Sequence, residues 1–305
     1  MEWMIPVILT IITAATPLVF AAVGELIVEK SGVLNLGVEG MMLTGAISAF
    51  GIQYATGSAT LAIIGAMICA AGMALIFGFL TLTMLANQVA TGLALTIFGI
   101  GLSALIGHAY SGVSLTALPK GIPGLEDIPV IGQLLFGHDV LVYASFVLVA
   151  VVAWFLNKSR GGLILRAVGD NHDAAHSIGY SVIGIRYLAV LFGGAMAGVG
   201  GAYLSIAYTP LWVEEMTAGR GWIALALVVF STWKPWRAML GAYIFGGITI
   251  IQLNIQGFGV NISSQLLSML PYLATIAVLV IISRDKALVK MNAPACLGKV
   301  FHAAA

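Results

Sequence analysis

Apolar residues run through this chain in long stretches, without the polar residue at every second position that a half-buried strand would show. Short segments rich in glycine, proline and charge separate the stretches. Nine of them, at residues 3–23, 38–55, 59–80, 88–108, 139–157, 186–208, 221–233, 236–256 and 267–283, predict nine helical segments. Most approach the roughly 20 residues needed to cross a hydrocarbon core about 30 Å thick. The stretch 221–233 is short enough for a half-membrane or re-entrant helix, and if it returned to its own side the N-terminus would change sides. A backbone in lipid must satisfy its own N–H and C=O groups, so continuous apolar runs select helices over a closed barrel. The expected fold is all-α: a polytopic transmembrane helical bundle in two pseudo-repeated halves, with some segments broken or half-length.

The interruptions carry the chemistry. Residues 32–40 read GVLNLGVEG, three glycines in nine positions, each costing about 1 kcal/mol relative to alanine in a helix. This marks an unwound or closely packed stretch, and broken helices at membrane depth typically line a cavity. Asn35 and Glu39 sit one helical turn apart within it. Glu39 either anchors helix packing at the membrane interface or contacts cargo, because an intramembrane carboxylate is expensive elsewhere. A second interruption, Asn87-Gln88-Val89-Ala90-Thr91, opens the fourth run; its amides either bridge helices or face a polar path. A third, Glu214 to Gly221, precedes the short apolar run and repeats the layout of the first, a glycine-rich break ahead of a helix once in each half. Trp233-Lys234-Pro235-Trp236-Arg237 reads as an interface anchor with Pro235 starting a helix. Gly193, Gly194, Gly198, Gly200 and Gly201 form a small-residue face for close helix packing.

Composition agrees with a lipid solvent: 60% of the 305 residues are apolar and 8% charged, against about 25% charged in a soluble domain. Threading the runs alternately puts eleven of the thirteen basic residues on one side, with Lys120 and Arg220 on the other. This bias predicts an external N-terminus and a cytoplasmic C-terminus. Met1-Glu2-Trp3 lacks the basic n-region of a signal peptide, so residues 3–23 are expected to be a retained helix. The membrane domain covers 1–285, with a cytoplasmic tail at 286–305. Residues 109–138, with Pro119, Pro123, Pro129 and five glycines, predict an external cap without helix. Residues 158–185 form a basic cytoplasmic loop holding one short helix: Asp170 or Asn171 caps it, Asp173 suits its first turn, and Gly179 ends it in the left-handed conformation. Ala174 and Ala175 give it a small face that fits a partner's groove, unless the segment is an ordinary solvated loop. Cys69 and Cys296 are not expected to pair.

The sequence has no GxxxxGK[ST] loop, HExxH, CxxC or GxSxG, and no mid-span nucleophile or carboxylate pair suggests an enzyme. His172 and His176 are four apart but have no third ligand, so no metal is expected.

Four stretches share one resemblance: GELIVEKSGVLNLGVEGMMLTGA, IPGLEDIPVIGQLLFG, GLILRAVGDNHDAAHSIGYSV followed by GGAMAGVGGAY, and GRGWIALALVVFSTWKPWRAMLGAYIFGG. Together, over about residues 20–285, they resemble the permease subunit of bacterial ABC importers of the branched-chain amino acid and simple-sugar type, nucleoside-uptake branch. The resemblance implies alternating access driven by separate cytoplasmic ABC ATPase subunits that hold ATP and magnesium, with no cofactor on this chain. It implies a second permease subunit, related but different, an extracytoplasmic substrate-binding protein, surrounding lipid, and no nucleic acid. It assigns residues 165–182 as the ATPase-coupling helix, carried by Arg166, Gly169, Asp170, Asn171, Ala174, Ala175 and Gly179; His172 and Asp173 depart from the pattern. Asn35, Glu39, Asn87, Gln88 and Thr91 are then the candidate pathway residues. A sugar or branched-chain amino acid permease and an ATP-independent secondary transporter remain alternatives.

Overall fold

The computed structural model describes residues 4–302 except 122–123, 126–127, 129–130, 258–262, 264–265, 268 and 284–291. Pro123, Pro129 and tail positions 286–291 and 303–305 therefore lie outside the described residues. The chain forms α1 (Met4–Lys30), α2 (Val38–Thr56), α3 (Ala59–Gly78), α4 (Gln88–Gly107), α5 (Ile131–Phe136), α6 (Val140–Lys158), α7 (Arg160–Asp170), α8 (His172–Ser177), α9 (Val182–Tyr203), α10 (Arg220–Phe230), α11 (Pro235–Gly257) and α12 (Leu270–Ser283).

Among the described residues, six helices are long and apolar enough to cross a membrane: α1, α4, α6, α11, and α3 and α9 each prolonged by a π-helical turn, at Phe79–Thr83 and Leu204–Tyr208. Each of the nine expected segments contains a helix, but three fall short of that standard among the described residues. In α2, Glu39, Thr44, Gln53 and three glycines dilute the apolar run. The 11 residues of α10 reach about 16 Å at 1.5 Å per residue, half a hydrocarbon core. Among the described residues, 14 belong to α12.

The centre of the bundle is α9, which packs on α1, α2 and α3. Its glycines allow this: a Cβ on Gly201 would stand 1.9 Å from the Met42 carbonyl oxygen, and one on Gly198 would stand 2.5 Å from that of Ala66. Without a hydrophobic driving force between helices in lipid, such close backbone approach is what holds a bundle together. Apolar side chains such as Ile97, Leu105 and Leu188 lie exposed on the outside.

The two ends differ. At one, Gln53 Nε2 donates to Thr116 O at 3.1 Å and Leu115 N to Pro210 O at 2.8 Å, drawing the segment after α4 against that after α9. The cap expected to lack helix contains α5, whose IGQLLF sequence follows the last proline of the loop and meets no breaker. Asp139 caps α6 and also accepts from Tyr203 Oη at 3.0 Å. The opposite, basic end gathers Lys30, α7, α8, the α10–α11 turn and residues 292–302. The one helix expected within 158–185 is two. Ser159 caps α7 through Gly162 N, and Gly161-Gly162, which look like breakers in the sequence, allow the return past Phe155.

Candidate functional site

Two places in the bundle use polar groups with unusual density. The first lies where two glycine breaks meet. After α1 the chain doubles back, and its unwound backbone is held by side chains of its neighbours: Leu34 N donates to Gln88 Oε1 at 2.8 Å, Asn35 N to Glu25 Oε1 at 3.2 Å, and Thr96 Oγ1 to Leu36 O at 3.0 Å. Asn35 is fully buried, and its Oδ1 accepts from Gly37 N at 2.9 Å, a local turn. The break thus satisfies its freed backbone groups with α1 and α4 side chains.

Glu39, two residues into α2, is 5% exposed and reaches into the second break. Its Oε1 accepts from Thr217 Oγ1 at 2.5 Å and Gly219 N at 2.8 Å, and its Oε2 accepts from Gly221 N at 2.5 Å. The first turn of α10 leaves N–H groups with no intrahelical partner, and its dipole favours negative charge there. Gly219 takes φ +79° and Ala218 φ +47° to turn the chain into α10. No bulkier residue fits at 221, where a Cβ would stand 2.5 Å from the Glu39 backbone. The carboxylate therefore fastens the two breaks together inside the bundle.

From this latch α10 descends to the basic end, where Trp233 is 5% exposed and donates Nε1 to Glu29 Oε2 at 2.6 Å. The tryptophan read as an interface anchor is a buried tie between α10 and α1; Trp236 is the exposed one, and Pro235 does start α11. Of the other residues singled out in the sequence, Gln88 is buried at the first break. Asn87 is exposed and caps α4 through Ala90 N at 3.0 Å, and Thr91 lies half-buried one turn on. The five candidates do not converge on one cavity: Asn35, Glu39 and Gln88 frame the breaks, while Asn87 and Thr91 start the exposed face of α4.

The second place is the face formed by α7 and α8. Asn171 caps α8 through Ala174 N at 3.0 Å, and Gly179 closes it at φ +93°. Ala174 is exposed, whereas Ala175 is 2% exposed and packs with Val168, Val182 and Phe301. Only Ala174 of the pair is presented outward, together with Asp173, Ser177 and a 70% exposed Ile178. Asp170 and Asn171 are exposed at the α7–α8 corner, and Arg166 donates Nε to Gly162 O at 3.4 Å. Gly169 is buried, and a Cβ there would stand 2.1 Å from Lys30 O.

Beneath this face lies Arg186, 1% exposed. Its Nε donates to Ser31 O at 3.1 Å, Nη1 to Lys299 O at 3.1 Å, and Nη2 contacts His172 Nδ1 at 3.1 Å. One guanidinium thereby joins the end of α1, the start of α8 and residues 292–302. Lys30 Nζ donates to Asn292 O at 2.6 Å, Cys296 N to Gly169 O at 2.9 Å and Gly298 N to Gly32 O at 3.0 Å. Burial first, and then the Arg186 charge, hold His172 below its ordinary pKa, which suits a neutral ring accepting at Nδ1. Sequence reasoning placed Arg186 on the basic side but gave it no role; a lone arginine at the start of an apolar run was the available signal. Among the described residues no group of three or more metal-ligating side chains occurs.

The family model described as branched-chain amino acid transport system / permease component matches residues 7–279. The chain is 40% identical to the putative glucose ABC transporter permease protein TsgC13 of Haloferax volcanii, covering 88% of each chain. It is 32% identical to the nucleoside ABC transporter permease protein NupC of Lactococcus lactis, over 87% of this chain and 88% of that protein. It is also 32% identical to the guanosine ABC transporter permease protein NupQ of Bacillus subtilis, over 89% and 92%.

Proposed function

This chain belongs to the family of permease components of branched-chain amino acid transport systems, and from that premise we propose that it imports nucleosides as one half of a permease pair. The observation that carries the transport reading is the Glu39 latch: a half-length helix fastened at mid-bundle by its N-terminus and tied at its other end to the basic face. A helix that stops halfway leaves backbone and side chains free to border a path, as broken helices do in transporters.

In this reading the basic end faces the cytoplasm of a bacterial cell and α7–α8 dock on separate ATPase subunits, which hold ATP and magnesium. Arg166, Gly169, Asp170, Asn171 and Gly179 shape the α7–α8 corner, Ala175 seats it, and Ala174 meets the partner. The external binding protein delivers substrate over α5 and the segments around Thr116 and Pro210. Asn87 and Thr91, on the exposed side of α4, border the path between this chain and a related second permease. Asn35, Glu39 and Gln88 set the frame that moves. The nucleoside assignment rests on the two relatives at 32% identity whose names specify nucleoside and guanosine. A neutral, ring-bearing, many-edged solute also suits spans that carry few charges.

Glucose is the second reading, favoured by the 40% identical relative. The transporter reconstituted with its ATPase, second permease and binding protein decides between them: ATP-dependent uptake of labelled guanosine, blocked by unlabelled nucleosides and not by glucose or pentoses, is the expected result. Competition by sugars alone would reverse the assignment. Transport by this chain without ATP would remove the ABC mechanism.

A further inference from the structure

A cavity of about 200 Å³ opens beside the latch, bordered by α1, α10, α11 and α12. A single water needs roughly 10–15 Å³ on the same measure, so the space suits a solute. Its lining mixes apolar and polar groups. Leu18 and Phe245 are among its apolar residues, whereas Arg220, Thr249, Gln252 and Tyr272 bring polar groups.

Arg220 is the unusual member. Both of its hydrogen bonds leave from Nη1, to Met216 O at 3.2 Å and Thr217 O at 3.3 Å, and its guanidinium carbon lies 5.8 Å from the Tyr208 ring centroid. Glu39, the nearby carboxylate, spends its oxygens on Thr217, Gly219 and Gly221. The remaining Nε and Nη2 donors of Arg220 are thus left for a guest, in a fork geometry that suits two neighbouring acceptors in one plane. Thr249 Oγ1 donates to Phe245 O at 3.0 Å, which leaves its oxygen as an acceptor. Gln252, 9% exposed, offers an amide with both roles.

Part of the lining is aromatic. Phe245 and Tyr272 lie edge to face, centroids 6.3 Å apart at 83°, and both line the cavity. An aromatic surface beside a guanidinium fork recognises a flat heterocycle with carbonyl or ring-nitrogen acceptors on one edge. We propose that this cavity seats the base of the transported nucleoside on its way along the path, its face on Tyr272 and its acceptor edge toward Arg220 and Gln252. The inference rests on the nucleoside reading above and adds to it the residues that recognise the base.

The test uses the complete reconstituted transporter with guanosine as substrate and an azido-substituted guanosine as photolabel. Light-driven labelling of the wild-type assembly maps to peptides of Pro235–Gly257 or Leu270–Ser283. In parallel, Tyr272→Leu raises the KM for guanosine about tenfold, while Tyr272→Phe, which keeps the ring, stays near wild type. Tyr272 is half exposed, so its loss leaves folding intact; Gln252→Leu checks the polar side by the same KM readout. Labelling confined to other peptides, with guanosine still imported, overturns the seat and leaves the transport assignment standing. A wild-type assembly that imports glucose and no nucleoside overturns the transport assignment, and the seat with it.

Discussion

Replacing Glu39 with glutamine isolates the latch, because size and one acceptor oxygen are kept while the other oxygen becomes an NH₂ donor. In the native arrangement Oε1 serves Thr217 Oγ1 and Gly219 N, and Oε2 serves Gly221 N at 2.5 Å. Glutamine sets its NH₂ against the Gly221 N–H, donor facing donor. The lost bond to a carboxylate is worth about 1.5–3 kcal/mol, and the stranded buried N–H costs about 1–3 kcal/mol. These figures overlap, since both describe the same N–H. Loss of the negative charge at the α10 N-terminus adds up to about 2 kcal/mol. A total of about 1.5–5 kcal/mol follows. At about 1.4 kcal/mol per factor of ten, the open latch gains about ten- to a few-thousand-fold in population. Amide hydrogen exchange of the chain in lipid nanodiscs, read on peptides spanning residues 215–230, measures this directly. Exchange in Glu39→Gln within threefold of wild type would show that the carboxylate does not hold α10 and would refute the argument.

Other consequences follow from the basic end. Gly169→Ala drives a Cβ to 2.1 Å from Lys30 O, an overpacking worth about 1–3 kcal/mol, and the melting temperature in detergent should drop; an unchanged value would mean that the α1–α7 approach is loose. Ala174→Asp should leave melting unchanged but abolish copurification with the ATPase, whereas Ala175→Asp, placing a carboxylate among Val168, Val182 and Phe301, should lower melting by itself. Equal behaviour of the two would contradict the assignment of the outward face. His172 titrates below its ordinary value in the folded chain, so between that depressed pKa and about 6.5 the unfolded chain binds more protons. Its contribution is fully present above about pH 6.5 and declines as acidity rises through the folded pKa. Melting temperature against pH should show this slope in wild type, and His172→Gln should flatten it; a parallel profile would detach the histidine from the Arg186 junction.

The sequence made some of this legible because its signals are local. Glycine is costly in a helix, so GVLNLGVEG and the run from Glu214 to Gly221 announced breaks, and these are the segments that Glu39 joins. Asn171 and Gly179 act where short-range capping and turn chemistry placed them. What stayed hidden depends on distant partners. Nothing near Arg186 reveals that Ser31 and Lys299, 155 and 113 positions away, supply its acceptors. Ala174 and Ala175 are indistinguishable until Phe301 covers one of them. Glu39 looked equally like a surface anchor or a cargo ligand, because its donors lie about 180 positions further along. The second helix of the 158–185 loop was obscured by Gly161 and Gly162, which accommodate the Phe155 carbonyl more than they break the chain.

The bond from Lys30 to Asn292 closes a loop of 262 positions, and with Cys296 and Gly298 it completes the surface beneath α8. A ribosome must therefore have passed residue 298 before that surface exists. Products stalled short of that point would display α8 without its backing.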